Sequence, residues 1–281
     1  MNHARKKRTS SRAELTTLAT DLDGTLIPLP GSTENEADLR TLALQIEQGA
    51  IELVFATGRH FASVSRAVQE FQLPSPQWII CDVGTSIYQR QPSGQFVLVE
   101  DYQRHLQEIT SCLPILELRD RIGAIDGLHL QEQEKQGPFK LSYYASAEQL
   151  DDQRVRVESL LAEVGAPYSM IDSVDPFTGE GLIDLLPKSV SKAYALQWWS
   201  QHANRSAGEI VYAGDSGNDT AALVAGYRAI VVGNACPMLA RRVYDEHRRA
   251  GWPNRLCLAG NKATSGVLEG CRWFGLIESE D

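Results

Sequence analysis

The chain has few of the features that would direct it to a membrane, a nucleic acid or an oxidising compartment. Its 281 residues contain no run of eighteen apolar positions, so no membrane-spanning helix is expected. Basic residues are in deficit, 27 Lys and Arg against 36 Asp and Glu for a formal charge of −9. That balance argues against nonspecific nucleic-acid binding, which needs basic surface to neutralise phosphates. The five cysteines, Cys81, Cys112, Cys236, Cys257 and Cys271, are odd in number and show no CxxC or CxxH spacing. They suit a reducing cytoplasm better than a disulfide framework or a zinc site. Six histidines are scattered without metal-ligand spacing, and no repeat or low-complexity tract is evident. Arg5, Lys6, Lys7, Arg8 and Arg12 gather among Ser and Thr without the apolar segment of a secretory signal. Residues 1–13 are therefore expected to form a disordered basic tail.

What is present is enough apolar material, 43% of residues, to bury a substantial core. The most informative stretch is Asp21-Leu22-Asp23-Gly24-Thr25, where an apolar strand over 15–20 runs out. Residues two apart on a strand share a side, and the C-terminal ends of strands are where ligands bind in open α/β sheets. One carboxylate can attack while the other handles a proton. Gly24 permits a tight turn and close approach of N–H groups to an anion, and Thr25 adds a hydroxyl. The pentapeptide also fits an Asp-rich turn ending a strand.

Three further segments share that placement. A second apolar strand over 51–56 leads into Thr57-Gly58-Arg59 and a helix marked by Phe61, Val64, Val68 and Phe71. A hydroxyl and free N–H groups at a helix start attract phosphate, although an N-cap and turn would look the same. Ser189-Val190-Ser191-Lys192 opens another apolar helix, placing a lysine in the first turn against the helix dipole, as if an anion nearby required it. A strand over 209–213 leads into Gly214-Asp215-Ser216-Gly217-Asn218-Asp219. This oxygen-rich loop suits Mg2+, which takes one or two carboxylates plus water and substrate phosphate. Asp21 and Asp215 could hold the ion with the Asp23 backbone carbonyl, and Asp219 belongs to the same acidic set.

Taken in order, these four motifs resemble those of the haloacid dehalogenase superfamily of phosphatases. The resemblance implies Asp21 as nucleophile, forming an aspartyl phosphate, with Asp23 as general acid and then base. It gives Thr57 and Lys192 to the phosphoryl oxygens and Asp21, Asp23, Asp215 and Asp219 to the metal group. Gly24, Thr25, Gly58 and Asn218 complete the expected phosphate-binding set. The fold it implies is α/β, a Rossmann-like parallel-sheet core with a smaller inserted α/β cap domain.

The insertion is also visible in the spacing. Thr57 and Lys192 are 135 residues apart, where a strand–helix–strand step takes about 30 or more. A buried strand over 78–81 and a hairpin of Ile87-Tyr88 against 96–99, turning at 92–94, are expected before it. From 102 to 186 the pattern reads helix (to 113), strands near 122–130 and 139–144, helix 147–163, strand 181–186. The expected division is a core of 14–101 and 187–281 with a cap of 102–186. Trp198 and Trp199 on the helix after Lys192, and Trp273 on an apolar helix over 266–276, are expected to pack rather than bind sugar.

Within the superfamily the chain most resembles sucrose-phosphate phosphatases and related glycosyl-phosphate phosphatases. The resemblance is carried by Val83-Gly84-Thr85-Ser86-Ile87-Tyr88, Phe139-Lys140-Leu141-Ser142-Tyr143-Tyr144, Asp184-Leu185-Leu186-Pro187 and Val232-Gly233-Asn234-Ala235. Gly84, Thr85, Ser86, Lys140, Tyr143 and Asn234 are the candidate sugar contacts. Strand alternation sends Tyr143 and Tyr144 to opposite faces, so one of them belongs to the cap core. The family often has Glu in place of Ser86 and Asn in place of Ser191, which leaves mannosylfructose phosphate and glucosylglycerol phosphate beside sucrose-6-phosphate. The expected protein is a cytoplasmic, monomeric, Mg2+-dependent sugar-phosphate phosphatase, with a pathway glycosyltransferase (synthase) as a candidate partner. A generalist sugar phosphatase, a phosphomutase and a noncatalytic sugar-binding module are the alternatives. The retention of both Asp21 and Asp23 disfavours the last.

Overall fold

The structure, a computed structural model, describes residues 16–49, 51–174 and 178–278. The expected basic tail lies outside them. In chain order the first half comprises β1 (Thr17–Thr20), α1 (Thr33–Gln48), β2 (Glu52–Ala56), α2 (Phe61–Glu70), β3 (Trp78–Cys81), β4 (Ser86–Arg90), β5 (Phe96–Leu98), α3 (Glu100–Ile109), α4 (Leu116–Gly123), β6 (His129–Leu130) and β7 (Leu141–Ala145). The second comprises α5 (Leu150–Glu163), β8 (Tyr168–Val174), β9 (Gly181–Pro187), α6 (Lys192–His202), β10 (Ile210–Gly214), α7 (Thr220–Leu223), β11 (Arg228–Val231), α8 (Pro237–Arg249), β12 (Leu256–Leu258) and α9 (Ala263–Phe274).

These strands make two sheets, ordered β12-β11-β10-β1-β2-β3-β4-β5 and β6-β7-β9-β8. The first is parallel from β12 to β3 and ends in the antiparallel β4/β5 hairpin. Its strands are apolar on both faces, as a parallel sheet covered by helices on each side requires. Alternation along each strand divides the core in two. Leu18, Leu53, Phe55, Val211 and Ile230 meet α1, α2 and α9 on one face. Ala19, Val54, Ile210, Tyr212 and Ala229 meet α3, α6, α7 and α8 on the other. The second sheet is antiparallel and packs against α4 and α5 through Leu118, Ile122, Leu141, Tyr143, Val157, Tyr168, Ile183 and Leu185.

The strand order places the ligand site. From β1 the chain moves through β2 to β3 on one side, then returns after the second sheet to run β10, β11, β12 on the other. The loops leaving β1 and β10 therefore part, and a crevice opens between them at the carboxyl ends of the strands.

The α/β class, the parallel core and the hairpin match the sequence reading, and the inserted segment is where it went astray. A strand was expected near 122–130; only its end is one, β6 (His129–Leu130), and Ile122 instead lies in α4, where Leu118 and Ile122 share one buried helix face four residues apart. Strand β8 was not anticipated. It is a sheet edge with Ser169 and Asp172 among its residues and Ile171 and Val174 exposed, so it lacks an apolar run. Helix α3, placed by the sequence in the insertion, packs through Tyr102 and Leu106 against the first sheet. Among the tryptophans, Trp199 is fully buried against Trp78, with ring centroids 6.1 Å apart, and Trp198 is half-buried beside His202. Trp273 corrects the expectation: it is 56% exposed, because Val267, Leu268 and Cys271 occupy the inner face of α9. No helix among the described residues is long and apolar enough to cross a membrane.

The two environments predict opposite outcomes. Trp199→Ala should lower unfolding free energy by about 3–5 kcal/mol, and Trp273→Ala by no more than about 0.5 kcal/mol. Urea midpoints of the two variants would check this.

Candidate active site

Asp21 follows β1 directly, and its N–H donates to the Ala213 carbonyl (3.0 Å), extending the pairing of β1 with β10. Gly24 then turns the chain with φ +72°, and a Cβ there would lie 2.4 Å from Asp215 Oδ2. Glycine is needed twice over, for the backbone angle and for the approach of the second loop. The Asn234 side chain fixes this turn from outside, donating to the Gly24 carbonyl (2.8 Å) and accepting from the Ala263 N–H (2.7 Å).

Lys192 is the first residue of α6, behind the N-cap Ser191, whose hydroxyl accepts from the Tyr194 N–H. Its side chain is wholly buried, with Nζ 2.9 Å from Asp21 Oδ1 and 3.0 Å from Asp219 Oδ1. Asp219 is saturated. Its Oδ1 also accepts from the Tyr212 hydroxyl (2.6 Å), and its Oδ2 from the Asp215 and Ser216 N–H groups and the Ser216 hydroxyl. Two carboxylates thus share one ammonium. Burial, reinforced by Asp219 and opposed by Lys192, pushes the Asp21 carboxyl up to about 8. Burial works against the Lys192 ammonium as well, but Asp21 and Asp219 outweigh it and the lysine stays protonated. Burial likewise raises Asp215 to about 6, against the hydrogen bond from Thr25.

Asp21, Asp215 and Asp219 bring carboxylate oxygens within 4.8 Å of one another. An all-oxygen set in which burial and a neighbouring carboxylate hold Asp21 and Asp215 above the ordinary carboxyl range fits a hard divalent cation such as Mg2+. Asp23 points elsewhere. Its oxygens accept from Arg59 Nη2 (2.6 Å) and Nε (2.7 Å), and its side chain is 56% exposed.

A cleft of about 880 Å³ opens above this floor. Asp21, Asp23, Gly24, Gly58, Lys192, Asp215 and Asn218 line it from the first sheet, and Lys140 from the second. Thr57 and Asp219 lie fully buried and do not line it. Residues the sequence reading gave no role complete the wall: Arg59, His60, Arg66 and Asp82 on one side, Gln131, Glu132, Glu134, Lys135 and Asp184 on the other. Asp82 was legible in principle, since it follows β3 at the ligand-binding end of the sheet. The second-sheet residues carry no local signal.

Each cation of the cleft already has an acid within 4 Å: Arg59 with Asp23, Arg66 with Glu134, Lys135 with Glu132, Lys140 with Asp82 and Asp184, Lys192 with Asp21 and Asp219. Burial pushes Asp82 up to about 6, against the pull of Lys140. The Asp82-Val83-Gly84 loop has three successive positive φ angles, 51°, 58° and 101°. It is held there by N–H bonds from Asp82 to Arg59 O and from Val83 to Thr57 O. Backbone strain of this kind gathers at functional sites.

Several expected contacts are not where the sequence placed them. The Thr25 hydroxyl is fully buried and donates to Asp215 Oδ1 (2.9 Å), so it orients an acid and does not face the cleft. Gly84 packs against the start of α6, where a Cβ would lie 2.3 Å from Ser191 O, and Thr85 and Ser86 are buried, Thr85 donating to the Asp82 carbonyl and Ser86 pairing with Cys81 of β3. Tyr143 is 1% exposed in the core of the second sheet, with its hydroxyl on Arg119 O, while Tyr144 is half-buried and bonded to Lys135 and Glu132. Asn234 is occupied by its two backbone bonds.

The family model of sucrose-6F-phosphate phosphohydrolase matches residues 15–275. A HAD-like hydrolase of Nitrosococcus oceani is 36% identical over 92% of this chain and 71% of its own length. The mannosylfructose-phosphate phosphatase of Agrobacterium fabrum is 29% identical over 92% of this chain and 96% of its own. The structure of sucrose-phosphatase from Synechocystis sp. PCC6803, in complex with sucrose and phosphate, superposes with a TM-score of 0.72 at 25% identity, covering 95% of this chain and all of that one. The chain belongs to the sucrose-6F-phosphate phosphohydrolase family and is a sugar-phosphate phosphatase of the haloacid dehalogenase type.

Because the Asp21 and Asp215 carboxyls are raised, protons and metal compete for them. Mg2+ affinity should strengthen as pH rises from about 5 to 8, where Asp215 and then Asp21 lose their protons. The sign for stability follows: a raised carboxyl pKa contributes stability at low pH that is lost as pH rises through the folded-state value. The rise in thermal midpoint on adding Mg2+ should therefore be larger at pH 8 than at pH 5.5. An equal rise at both pH values would count against metal binding at these acids.

Proposed function

We propose that this chain, as a member of that family, hydrolyses a disaccharide phosphate, with sucrose-6-phosphate as the leading substrate and sucrose and phosphate as products. The observation that carries the reading is the buried pairing of Asp21 with Lys192 at the floor of a polar cleft walled by both sheets. The choice of sugar leans on the family description and on the ligands of the Synechocystis enzyme.

An Asp21 carboxylate oxygen attacks phosphorus while the bond from phosphorus to the sugar oxygen breaks. The departing oxygen keeps the electron pair and takes a proton from the Asp23 carboxyl. Water then attacks the aspartyl phosphate as the Asp23 carboxylate accepts its proton, which releases phosphate and restores both acids. Lys192 holds Asp21 in place and offsets charge on the phosphoryl oxygens, with Gly58 and the turn at Gly24 as further phosphate contacts. Asp21 and Asp215, with the Asp23 backbone carbonyl, would hold Mg2+, and Asp219 anchors the loop that carries Asp215. When bound, the ion neutralises negative charge that would otherwise repel the substrate.

The segment inserted after α3, from α4 to β9, acts as the cap over the first sheet and its helices, and Lys140 presents the sugar-recognition side. Mannosylfructose phosphate is the second reading, favoured by the A. fabrum relative, which aligns over nearly its full length. In either case the protein works as a cytoplasmic monomer downstream of a glycosyltransferase that makes the phosphorylated sugar.

The test is phosphate release, with and without Mg2+, from sucrose-6-phosphate, mannosylfructose phosphate, glucosylglycerol phosphate, trehalose phosphate and hexose phosphates. One strongly preferred disaccharide phosphate is expected, and broad weak activity on hexose phosphates would point to a generalist. Asp21→Asn should lose turnover by about 10⁴-fold or more with an unchanged circular dichroism spectrum. Substantial activity in that variant would exclude Asp21 as nucleophile.

A further inference from the structure

We infer that Arg59 is the positioning residue for Asp23, holding it at the mouth of the cleft and yielding one of its two contacts when the substrate arrives. The inference deepens the reading above and rests on Asp21 as nucleophile and Asp23 as acid and base.

Asp23 has little of its own to fix it. Its side chain is more than half exposed, and Arg59 is its carboxylate's hydrogen-bond partner among the described residues. Arg59, in contrast, is anchored at three further points. Its Nη1 donates to Ser63 Oγ (3.2 Å), its N–H to Thr57 Oγ1 (3.2 Å), and its carbonyl accepts from the Asp82 N–H (3.0 Å). A planar guanidinium engaging both carboxylate oxygens sets the plane of the acid as well as its distance. The direction of Asp23 is thus decided by the loops after β2 and β3 and not by the turn it belongs to.

The fork also blocks the chemistry until it opens. A carboxyl that donates a proton needs one oxygen to carry it, and here both oxygens face N–H donors. An arriving phosphoryl group supplies the exchange. Every cation of the cleft already has an acid beside it, so the dianion must share a cation with that acid or displace it. The Arg59–Asp23 pair adjoins Asp21, and Arg59 is 28% exposed, open to the phosphate. Ser63 keeps the guanidinium in place as one contact passes from Asp23 to a phosphoryl oxygen. The freed Asp23 oxygen takes up a proton from solvent, turns to the bridging oxygen and gives that proton to it.

The test compares substrates by their need for that proton. Sucrose-6-phosphate expels a poor alkoxide that requires it, and 2,4-dinitrophenyl phosphate expels an anion that does not. Arg59→Ala should lose at least about tenfold more in steady-state turnover of the sugar phosphate than in the first-turnover burst of dinitrophenolate. Arg59→Lys should recover part of that loss. The double variant with Asp23→Ala should be no slower on the sugar phosphate than Asp23→Ala alone, because both act through one group. Equal losses on the two substrates, or losses that multiply in the double variant, would overturn the inference. A dinitrophenolate burst surviving in Asp21→Asn would instead overturn the nucleophile assignment, a result distinct from either.

Discussion

The structure depends on one buried ammonium held between two buried carboxylates. Lys192, Asp21 and Asp219 come from the start of α6, the end of β1 and the loop after β10, so three distant parts of the chain meet at a single charge. Taking each ion out of water costs several kcal/mol, and attraction offsets that only when geometry is good and the remaining lone pairs are satisfied. Here Tyr212, Ser216 and two backbone N–H groups complete Asp219. Removing one partner from such a group typically costs about 3–5 kcal/mol. The unfavourable placement of a lysine in a first helical turn is worth only about 0.3–1 kcal/mol, so the ion triad decides where α6 begins.

With both carboxyls ionised that triad carries one negative charge in excess, and the rest of the site is arranged around it. Thr25 and Gly24 bring Asp215 to the same place, one by donating a hydrogen bond and the other by lacking a side chain. Gly84 lets the strained loop after β3 approach the backbone at Ser191, which fixes the base of α6 from the opposite side. Thr25 and Gly84, which a motif search would place on the ligand, thus do their work behind it, setting the distances between those that face it.

Above the floor, the cleft is charged but internally neutralised. Lys140 is buried between Asp82 of the first sheet and Asp184 of the second, so one ion cluster joins the two walls. Glu134 reaches His60 and Arg66 across the same gap. A sugar phosphate entering it exchanges partners with groups that are already satisfied. Selectivity then follows from how well its hydroxyls and phosphate replace those partners.

The sequence by itself determined the α/β class, the parallel core and the identity of the acids and the lysine. Those signals are local: apolar runs fix the buried strands, and Asp21, Asp215 and Lys192 stand where strands end or a helix begins. It failed where the determinants are not local. Helix α4 and edge strand β8 depend on packing within a small second sheet, and Tyr143 faced inward because its neighbours on that face are apolar. Only the tertiary structure decided that Thr25 and Asn234 serve the backbone and other acids, and that Arg59 grips Asp23. It alone brought Lys140, Asp82 and Asp184 together. Each of those partnerships joins segments far apart in the chain or leaves two residues equally able to face either way, and a linear pattern carries no distance between them.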